Sequence, residues 1–209
     1  MASNAPYETH TDRYEAWFDA HEPVYRAELA ALDRLVPERG RGLEIGVGTG
    51  RFAAPLGVDV GLDPAEAMLE RARDRGVETV RGAAEALPFR EHSFETALLV
   101  TTVCFVDDLA ATLREADRVL SPSGRLVIGY VDAGSPLGRR YRESSDQNPF
   151  YEDATFVTTD DLLGELEAAG FHDVEFVQTI AGPLDEVDDS EPVEPGYGDG
   201  SFVGLAAHR

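Results

Sequence analysis

The chain alternates between short apolar runs and amphipathic segments, and this alternation constrains its fold more than any other feature. Amphipathic segments of helical periodicity separate most of the apolar runs. Strands that alternate with helices are joined by crossovers, which predicts a parallel sheet with helices on both faces. The strand-like runs are residues 43–47, 58–62, 77–81, 96–101 and 125–131.

Helix signals occur where such crossovers require them. Residues 11–36 have helical periodicity, which Pro23 interrupts. Pro64 marks the start of a helix after the second strand, and Asp107 is placed to cap the helix after the fourth. The run that begins at Thr158 has a capping-box pattern and predicts a further helix.

The end of the chain breaks the alternation. Two strand-like runs, residues 173–180 and 201–209, are joined by residues 181–200, which contain no clear helix. Two consecutive strands without a crossover helix pair antiparallel. The sequence therefore predicts a Rossmann-like, doubly wound α/β fold. Its seven-stranded sheet is expected to be mostly parallel and to end in an antiparallel hairpin.

The length of 209 residues is enough for one domain with a sizeable core, and we expect residues 1–209 to form a single domain. Residues 1–40 are expected to form a helical cap. Residues 132–157 are polar and lack steady periodicity, so we expect a lid there. No apolar window reaches the length of a membrane span, and the N-terminus lacks a signal-peptide pattern. We therefore expect a cytoplasmic protein without a membrane partner, while the oligomeric state stays open.

Acidic residues dominate the charge balance. The chain has 40 Asp and Glu residues against 18 basic residues, all of them Arg, and a formal net charge of −22. Charge of this size causes self-repulsion that salt screens, so a halophilic host is favoured over a merely acidic mesophilic protein. The same charge argues against a nucleic-acid partner, which requires a basic surface.

The single cysteine and the histidines carry no predicted chemistry. Cys104 lies in an apolar run and excludes an intramolecular disulfide. A buried thiol that acts as a small hydrophobic group is favoured there over a nucleophile. The histidines show no metal-ligand spacing, so no metal site is predicted.

A glycine-rich turn, Gly46 to Gly50, follows the first strand. Ligands of doubly wound sheets bind at the carboxyl ends of the strands, and glycine lets the backbone approach them closely. The spacing G-x-G-x-G differs from the G-x-G-x-x-G of dinucleotide sites. Asp63 ends the second strand, where a carboxylate can accept both ribose hydroxyls of a nucleoside. The alternative is that Asp63 caps the helix that begins at Pro64, and the two roles are compatible.

Five motifs occur in a fixed order along the chain: LEIGVGTG, VGLDPAEAML, GAAEALPF, FETALLVTTVCFVDD and LSPSGRLVIG. Together they resemble the class I S-adenosylmethionine-dependent methyltransferases, over nearly the whole length of the chain. The predicted terminal hairpin also distinguishes that fold from the dinucleotide-binding folds. The closing stretch GYGDGSFV resembles one narrow branch of small bacterial and archaeal members.

The resemblance implies S-adenosylmethionine as the cofactor and assigns residues to it. The backbone at Gly46 and Gly48 approaches its methionine part and ribose, and Glu44 helps to position its ammonium group. The backbone at Val100 and Thr101 faces that ammonium group. The remaining implied contacts are Asp63 with the ribose hydroxyls, Leu62 near the adenine, and Tyr14 as a wall over the methionine end.

One position departs from the family. After the glycine of the third motif the family commonly has an acid that bonds the adenine amino group, and here that position is Ala83. The backbone at Ala84 or the side chain of Glu85 would have to replace this contact. The departure concerns cofactor affinity more than cofactor identity.

Methyl transfer from a sulfonium needs alignment more than it needs catalytic groups. Alignment can contribute about 7–11 kcal/mol, so no catalytic residue is assigned, although a general base helps an acceptor that must lose a proton. The family places the acceptor between the N-terminal helices and the segment after the fifth strand. Candidate contacts there are Trp17, Tyr25, Arg139, Tyr141 and Tyr151. For the basic patch of Arg139, Arg140 and Arg142, ion pairs with nearby acids are favoured over binding of an anionic acceptor.

The sequence thus predicts a methyltransferase that acts on a small-molecule acceptor. The alternatives are a cofactor-binding protein without transfer activity and a protein methyltransferase. A nicotinamide-dependent oxidoreductase is disfavoured, because it predicts the longer glycine spacing and a parallel sixth strand.

Overall fold

The computed structural model of the protein describes residues 5–37 and 40–209, and the remaining positions of the expected cap lie outside it. The break predicted at Pro23 lies at His21, and Pro23 is in the first turn of the following helix, where proline is tolerated. The short first helix was not predicted. The N-terminal helices are α1 (Ala5–Thr9), α2 (Thr11–Ala20) and α3 (Glu22–Asp33).

The strands of the described residues form one mixed sheet in the order β3-β2-β1-β4-β5-β8-β6-β7. Strands β1 to β5 are parallel, and β8 lies antiparallel between β5 and β6. The mostly parallel sheet and its antiparallel end are therefore confirmed. The strands are β1 (Gly42–Ile45), β2 (Val60–Asp63), β3 (Glu78–Arg81), β4 (Phe94–Val100), β5 (Leu120–Val131), β6 (His172–Thr179), β7 (Glu194–Pro195) and β8 (Phe202–His208).

The predicted number of seven strands is wrong, because the sheet has eight. The connection 181–200 contains the additional strand β7, in which Glu194 pairs with Gln178 of β6 and Pro195 with Val177. A two-residue strand is too short to show the alternation of apolar and polar residues by which strands are recognised. Only its pairing with β6 defines it.

Four more helices lie between or beside the strands: α4 (Glu66–Asp74), α5 (Leu109–Val119), α6 (Pro136–Glu143) and α7 (Thr159–Ala168). The capping box predicted at Thr158 is confirmed. The cap of α5 is Asp108, not Asp107, since the Asp108 side chain accepts a hydrogen bond from the Ala111 N–H at 2.8 Å. Helix α6 lies within residues 132–157 and was missed, because it is short and buries little apolar surface.

Alternate residues of the central strands pack into two hydrophobic clusters, one on each face of the sheet. In β4, Ala97 and Leu99 pack into the cluster that includes side chains of α5 and α7. Leu98 and Val100 pack into the other cluster, together with side chains of α3 and α4. Helices therefore cover both faces, as predicted. Across residues 5–37 and 40–209, no helix has the length and apolarity needed to cross a membrane.

The order of the strands reverses between β1 and β4. From β1 the chain proceeds outward to β2 and β3, and then returns to β4 on the other side of β1. The loops that leave β1 and β4 diverge at this point and open a crevice at the carboxyl ends of the strands. The glycine-rich turn is one of these two loops.

Candidate functional site

A cavity of about 640 Å³ opens at this crevice, a volume usual for small-molecule sites, which span roughly 300–1,000 Å³. We call the loops that follow β1 to β4 its floor. Helices α1 to α3 together with residues 132–157 form its cover, which contributes mostly aromatic side chains. Twelve of the predicted site residues line the cavity: Tyr14, Trp17, Gly46, Gly48, Leu62, Asp63, Ala84, Glu85, Val100, Thr101, Tyr141 and Tyr151.

The glycine-rich turn presents bare backbone to the cavity. The N–H groups of Gly46 and Val47 both donate to the Leu62 carbonyl, at 2.7 and 2.9 Å. Gly46 and Gly48 have φ values of +76° and +50°, which side chains disfavour. A Cβ on Gly46 would collide with the Thr102 side chain, and one on Gly48 would lie 3.3 Å from the Tyr14 hydroxyl oxygen. A side chain at Gly46 is therefore excluded by a collision, and one at Gly48 is disfavoured by both its φ value and the close approach of Tyr14.

Asp63 ends β2 beside this turn and is only 8% exposed. Its Oδ2 accepts a hydrogen bond from the Gly48 N–H and its Oδ1 accepts one from the Ala65 N–H, both at 2.9 Å. Burial raises the pKa of the carboxyl to about 6, against the lowering effect of these two bonds. Each oxygen keeps one lone pair for a ligand. Asp63 thus bonds to the backbone just before α4 and lines the cavity at the same time, so the two roles considered for it are compatible.

Glu44 lies behind the turn and does not line the cavity. It is 1% exposed, and its Oε2 has no hydrogen-bond partner among the described residues. Burial holds the pKa of its carboxyl well above the usual range, although the Ala53 N–H donates to it. The predicted contact with an ammonium group would therefore need a bridging group such as water.

Strained backbone marks the end of β4. Thr101 has φ +52°, a conformation that costs a β-branched residue about 1–3 kcal/mol. Its N–H donates to the Gly129 carbonyl at 2.7 Å, which helps to hold this conformation. The hydroxyls of Thr101 and Thr102 donate to the Val100 carbonyl at 2.8 and 3.1 Å. The Val100 carbonyl therefore already accepts two hydrogen bonds at the cavity wall.

The loops after β3 and β4 form the side predicted for adenine. Ala83 lines the cavity and offers no carboxylate. The Glu85 Oε1 accepts a hydrogen bond from the Asp107 N–H at 2.8 Å, so this side chain also positions the start of α5. Asp107 itself lines the cavity, a second carboxyl group here that sequence reasoning did not assign.

Cys104 in the same loop is half-buried, less than its apolar run suggested. Its thiol donates to the Thr101 carbonyl at 3.3 Å, and burial raises its pKa to about 12, so it is a neutral thiol rather than a nucleophile. Within the described part of the chain, no three His, Cys, Asp or Glu side chains form a cluster suited to a metal ion.

Ion pairs and capping bonds attach the cover to the floor. Glu15 of α2 accepts charge-assisted hydrogen bonds from Arg51 at 2.7 Å and Arg75 at 2.6 Å, and both arginines belong to the floor side of the structure. Glu8 of α1 accepts from the first N–H groups of α4, those of Glu66 at 2.8 Å and Ala67 at 3.1 Å. These contacts hold α1 and α2 over the glycine-rich turn.

Two predicted acceptor contacts do not line the cavity. The Tyr25 hydroxyl donates to the Arg51 carbonyl at 2.5 Å, and its ring packs against Phe52 in the core at 5.4 Å. Arg139 donates to the Gly134 carbonyl at the start of its own helix. No ion pair is formed by this arginine or by its neighbours Arg140 and Arg142 within the part of the chain that the structure describes.

The structure adds residues on the floor and on the cover that sequence reasoning missed. The rings of Tyr7, Phe105 and Phe150 line the cavity, and the Tyr7 and Phe150 rings lie 5.3 Å apart. Glu28 of α3 also lines it. A signal for Glu28 existed, since it lies four residues after the buried Val24 on the otherwise apolar face of the helix. No such signal marks the three rings, because they come from separate loops and helices.

Comparison with known proteins identifies methyltransferases as relatives of this chain. Residues 43–128 match the family profile described as methyltransferase domain. An uncharacterised protein of Methanocaldococcus jannaschii is 38% identical over 203 residues, which are 97% of this chain and 98% of that protein. A crystal structure of an S-adenosylmethionine-dependent methyltransferase from Thermotoga maritima, described as a possible histamine N-methyltransferase, is 44% identical, covers 99% of each chain and has a TM-score of 0.96. The protein therefore belongs to the S-adenosylmethionine-dependent methyltransferases.

Proposed function

We propose that this protein transfers the methyl group of S-adenosylmethionine to a small-molecule acceptor held beneath the cover. One observation carries the proposal. A single cavity has the glycine-rich turn and Asp63 on its floor and a wall of aromatic side chains on its cover.

The floor fits S-adenosylmethionine. Gly46 and Gly48 leave space that a Cβ would occupy, and Asp63 keeps lone pairs for ribose hydroxyls. The Oε2 of Glu44 behind the turn has no partner among the described residues, and such a buried atom can be satisfied by an ammonium group bound through a bridging water. When bound, the cofactor supplies a methyl group on a sulfonium, which is a good leaving group. The residues of the chain bind it, orient the acceptor and exclude water.

A small acceptor is supported by the way the cover closes. Helices α1 and α2 are attached to the floor by Glu8 and Glu15, so the space beneath them is enclosed by side chains on several sides. A compact molecule fits such a space better than an exposed protein segment. The description of the Thermotoga maritima relative names an amine, so amines are included among the acceptors to be tested.

Calorimetry tests the first half of the proposal. We expect the protein, in multimolar KCl, to bind S-adenosylmethionine and S-adenosylhomocysteine but not NADH. If neither sulfur nucleoside binds, the proposal is refuted.

Mass spectrometry of methyl transfer to amines, phenols, carboxylic acids and a protein mixture tests the second half. Methylation of a small molecule is the expected result. Transfer to protein alone identifies a protein methyltransferase, and binding without transfer to any acceptor identifies a cofactor-binding protein.

A further inference from the structure

Glu28 is a buried carboxyl group that opens into the cavity without a partner. It is 5% exposed, and no hydrogen bond or ion pair reaches it from the described residues. Burial raises the pKa of its carboxyl to about 8. A buried carboxyl without a partner is costly, so its presence in a cavity calls for an explanation by a ligand.

Aromatic side chains line the cavity together with Glu28. Burial raises the pKa of the Tyr14, Tyr141 and Tyr151 phenols, and the nearby charge of Glu28 raises each of them further. Trp17 lines the same cavity. Aromatic faces attract organic cations, and a carboxylate among them supplies the counter-charge. This combination suits the ammonium group of an amine better than a neutral or anionic acceptor.

The charged groups that line the rest of the cavity are mostly acidic, as Glu28 is. Among the described residues that line it there is one guanidinium, Arg13, which lies 5.8 Å from the centre of the Phe150 ring. A cavity with excess negative charge concentrates cations. The carboxyl groups that line it are those of Glu28, Asp63, Glu85, Asp107 and Asp153.

Glu28 is near the floor but does not belong to it. Burial is the main cause that raises the pKa of Tyr14. The charges of Glu44 and Asp63, near the glycine-rich turn, raise this pKa further, and so does the charge of Glu28 on the cover. Tyr14 is therefore within electrostatic reach of both regions. Glu28 itself comes from α3, and it lines the cavity together with Tyr141 and Tyr151 of residues 132–157. Glu28 therefore belongs to the cover side of the cavity that has the glycine-rich turn and Asp63 on its floor, the side where the acceptor is proposed to bind.

We propose that Glu28 binds the ammonium group of an amine acceptor and takes its proton, so that the transferase methylates nitrogen. The inference rests on the proposed function. An N–H bond of the ammonium breaks and an O–H bond forms on Glu28, which leaves a neutral amine with a free lone pair. That lone pair forms the new N–C bond while the S–C bond of the donor breaks, and the proton on Glu28 passes to water after product release.

The protonation behaviour of Glu28 suits this role. A general base works best when its pKa lies near the working pH, and burial has raised the pKa of this carboxyl toward neutral pH. A bound ammonium stabilises the carboxylate and keeps the pair ionised until the proton is transferred. Among the described residues, the charge of Glu28 raises the pKa of the Tyr14, Tyr141 and Tyr151 phenols, which burial already raises, so these phenols stay neutral below pH 9. The charged groups that line the same cavity are Arg13, Asp63, Glu85, Asp107 and Asp153.

The test compares amines with their alcohols in wild type, Glu28→Gln and the matched control Glu167→Gln, whose side chain is exposed on α7. The probes are 2-phenylethylamine with 2-phenylethanol, and histamine with 4-(2-hydroxyethyl)imidazole. Each is titrated into protein saturated with S-adenosylhomocysteine. Binding is followed by calorimetry and by the fluorescence of Trp17, the single tryptophan, which lines the cavity.

We expect wild type and the control to bind at least one amine about tenfold or more tightly than its alcohol, and Glu28→Gln to lose this preference. Amine affinity in wild type should also fall as the pH is lowered from 9 to 6, a measurement that needs no variant. Amines that bind no better than their alcohols, or an amine affinity without pH dependence, would overturn the inference.

The titration with S-adenosylhomocysteine separates this inference from the proposed function. Binding of the nucleoside with equal strength to wild type and Glu28→Gln leaves the function standing, whatever the amines do. If Glu28→Gln weakens the nucleoside and spares the amines, Glu28 serves the cofactor and the inference is overturned. If the nucleoside does not bind to wild type, the proposed function fails independently.

Discussion

The floor and the cover of the cavity are built in different ways. The floor is defined by backbone: Gly46 and Val47 bond to one carbonyl of β2, and Thr101 is held in a strained conformation at the end of β4. The cover is defined by side chains, namely aromatic rings that pack edge to face and acids such as Glu15 that bond to arginines. Backbone geometry suits a constant cofactor, whereas side chains can be exchanged to suit an acceptor.

The difference also concerns charge. The carboxyl of Asp63 on the floor has two backbone partners, and its pKa is raised only to about 6. Glu28 on the cover has none among the described residues, and its pKa is raised to about 8. A carboxylate with partners is ready to accept hydrogen bonds from a ligand at neutral pH. A carboxyl group without partners becomes ionised more readily when a cation binds beside it. Substitutions on the floor are therefore expected to change cofactor affinity, and substitutions on the cover to change acceptor affinity.

The largest effect is expected from Asp63→Ala on the floor. The substitution removes the proposed acceptor of the ribose hydroxyls and the bond to the Gly48 N–H, so S-adenosylhomocysteine should bind about 100-fold more weakly, a loss of about 2.7 kcal/mol. Calorimetry measures the affinity, and far-ultraviolet circular dichroism checks the fold. Asp74→Ala, at an exposed position of α4, is the control. Wild-type affinity in Asp63→Ala would refute the ribose assignment.

The next effect is expected from pH and concerns Glu28. Its pKa of about 8 in the folded protein lies above the usual 4.5, so the folded state binds more protons between these values. The free energy of unfolding should therefore fall as pH rises from 5 to 9, and Glu28→Gln should reduce this fall by on the order of 2 kcal/mol. Urea denaturation at each pH measures it. The same pH dependence in both proteins would show that Glu28 is not buried as described.

A smaller effect is expected from Phe150→Ala on the cover. The loss of this ring removes an aromatic face from the cavity and its contact with Tyr7, so affinity for the preferred amine should fall about tenfold, or about 1.4 kcal/mol. Affinity for S-adenosylhomocysteine should change by less than about twofold. Tyr197→Ala, which removes an exposed ring elsewhere, is the control. If cofactor affinity falls as much as amine affinity, the separation of floor and cover is wrong.

Salt is expected to change the difference between floor and cover least, because the ions screen the charges of both regions. With a net charge of −22, the unfolding temperature should still rise with KCl, by roughly 2–4 °C for each kcal/mol gained. The difference in affinity between wild type and Phe150→Ala should stay nearly constant. Differential scanning calorimetry from dilute to multimolar KCl measures the first quantity. An unfolding temperature that does not change would refute the prediction of a salt-adapted protein.

Much of the floor could be predicted, because local patterns encode it. A glycine that must adopt positive φ, such as Gly46, and an acid at the end of a strand, such as Asp63, are visible without knowledge of distant contacts. The seven longer strands and the antiparallel end of the sheet followed from periodicity in the same way. Two errors had different causes: β7 is defined only by its pairing with the distant strand β6, whereas two adjacent aspartates left the cap of α5 misplaced by one residue.

The cover could be predicted only in part. Tyr14, Trp17, Tyr141 and Tyr151 line the cavity, but Tyr25 turns to a backbone carbonyl of the floor side, and periodicity cannot distinguish these outcomes. Phe150 of the cover was not assigned, and neither was Phe105, a floor residue in the loop after β4 that lies 45 positions earlier in the chain. Side chains from such separate segments meet only when the sheet and its helices are assembled.

The sequence by itself determined the fold class, the family and the position of the glycine-rich turn, because alternation, glycine spacing and the acid at the end of β2 are short-range features. Only the tertiary structure decided which aromatic rings line the cavity, and that Glu28 lines it without a partner among the described residues. The physical reason is that burial and pairing of a side chain depend on what all other segments leave open. A lone glutamate on an apolar helix face becomes a binding group only when nothing else fills the space in front of it.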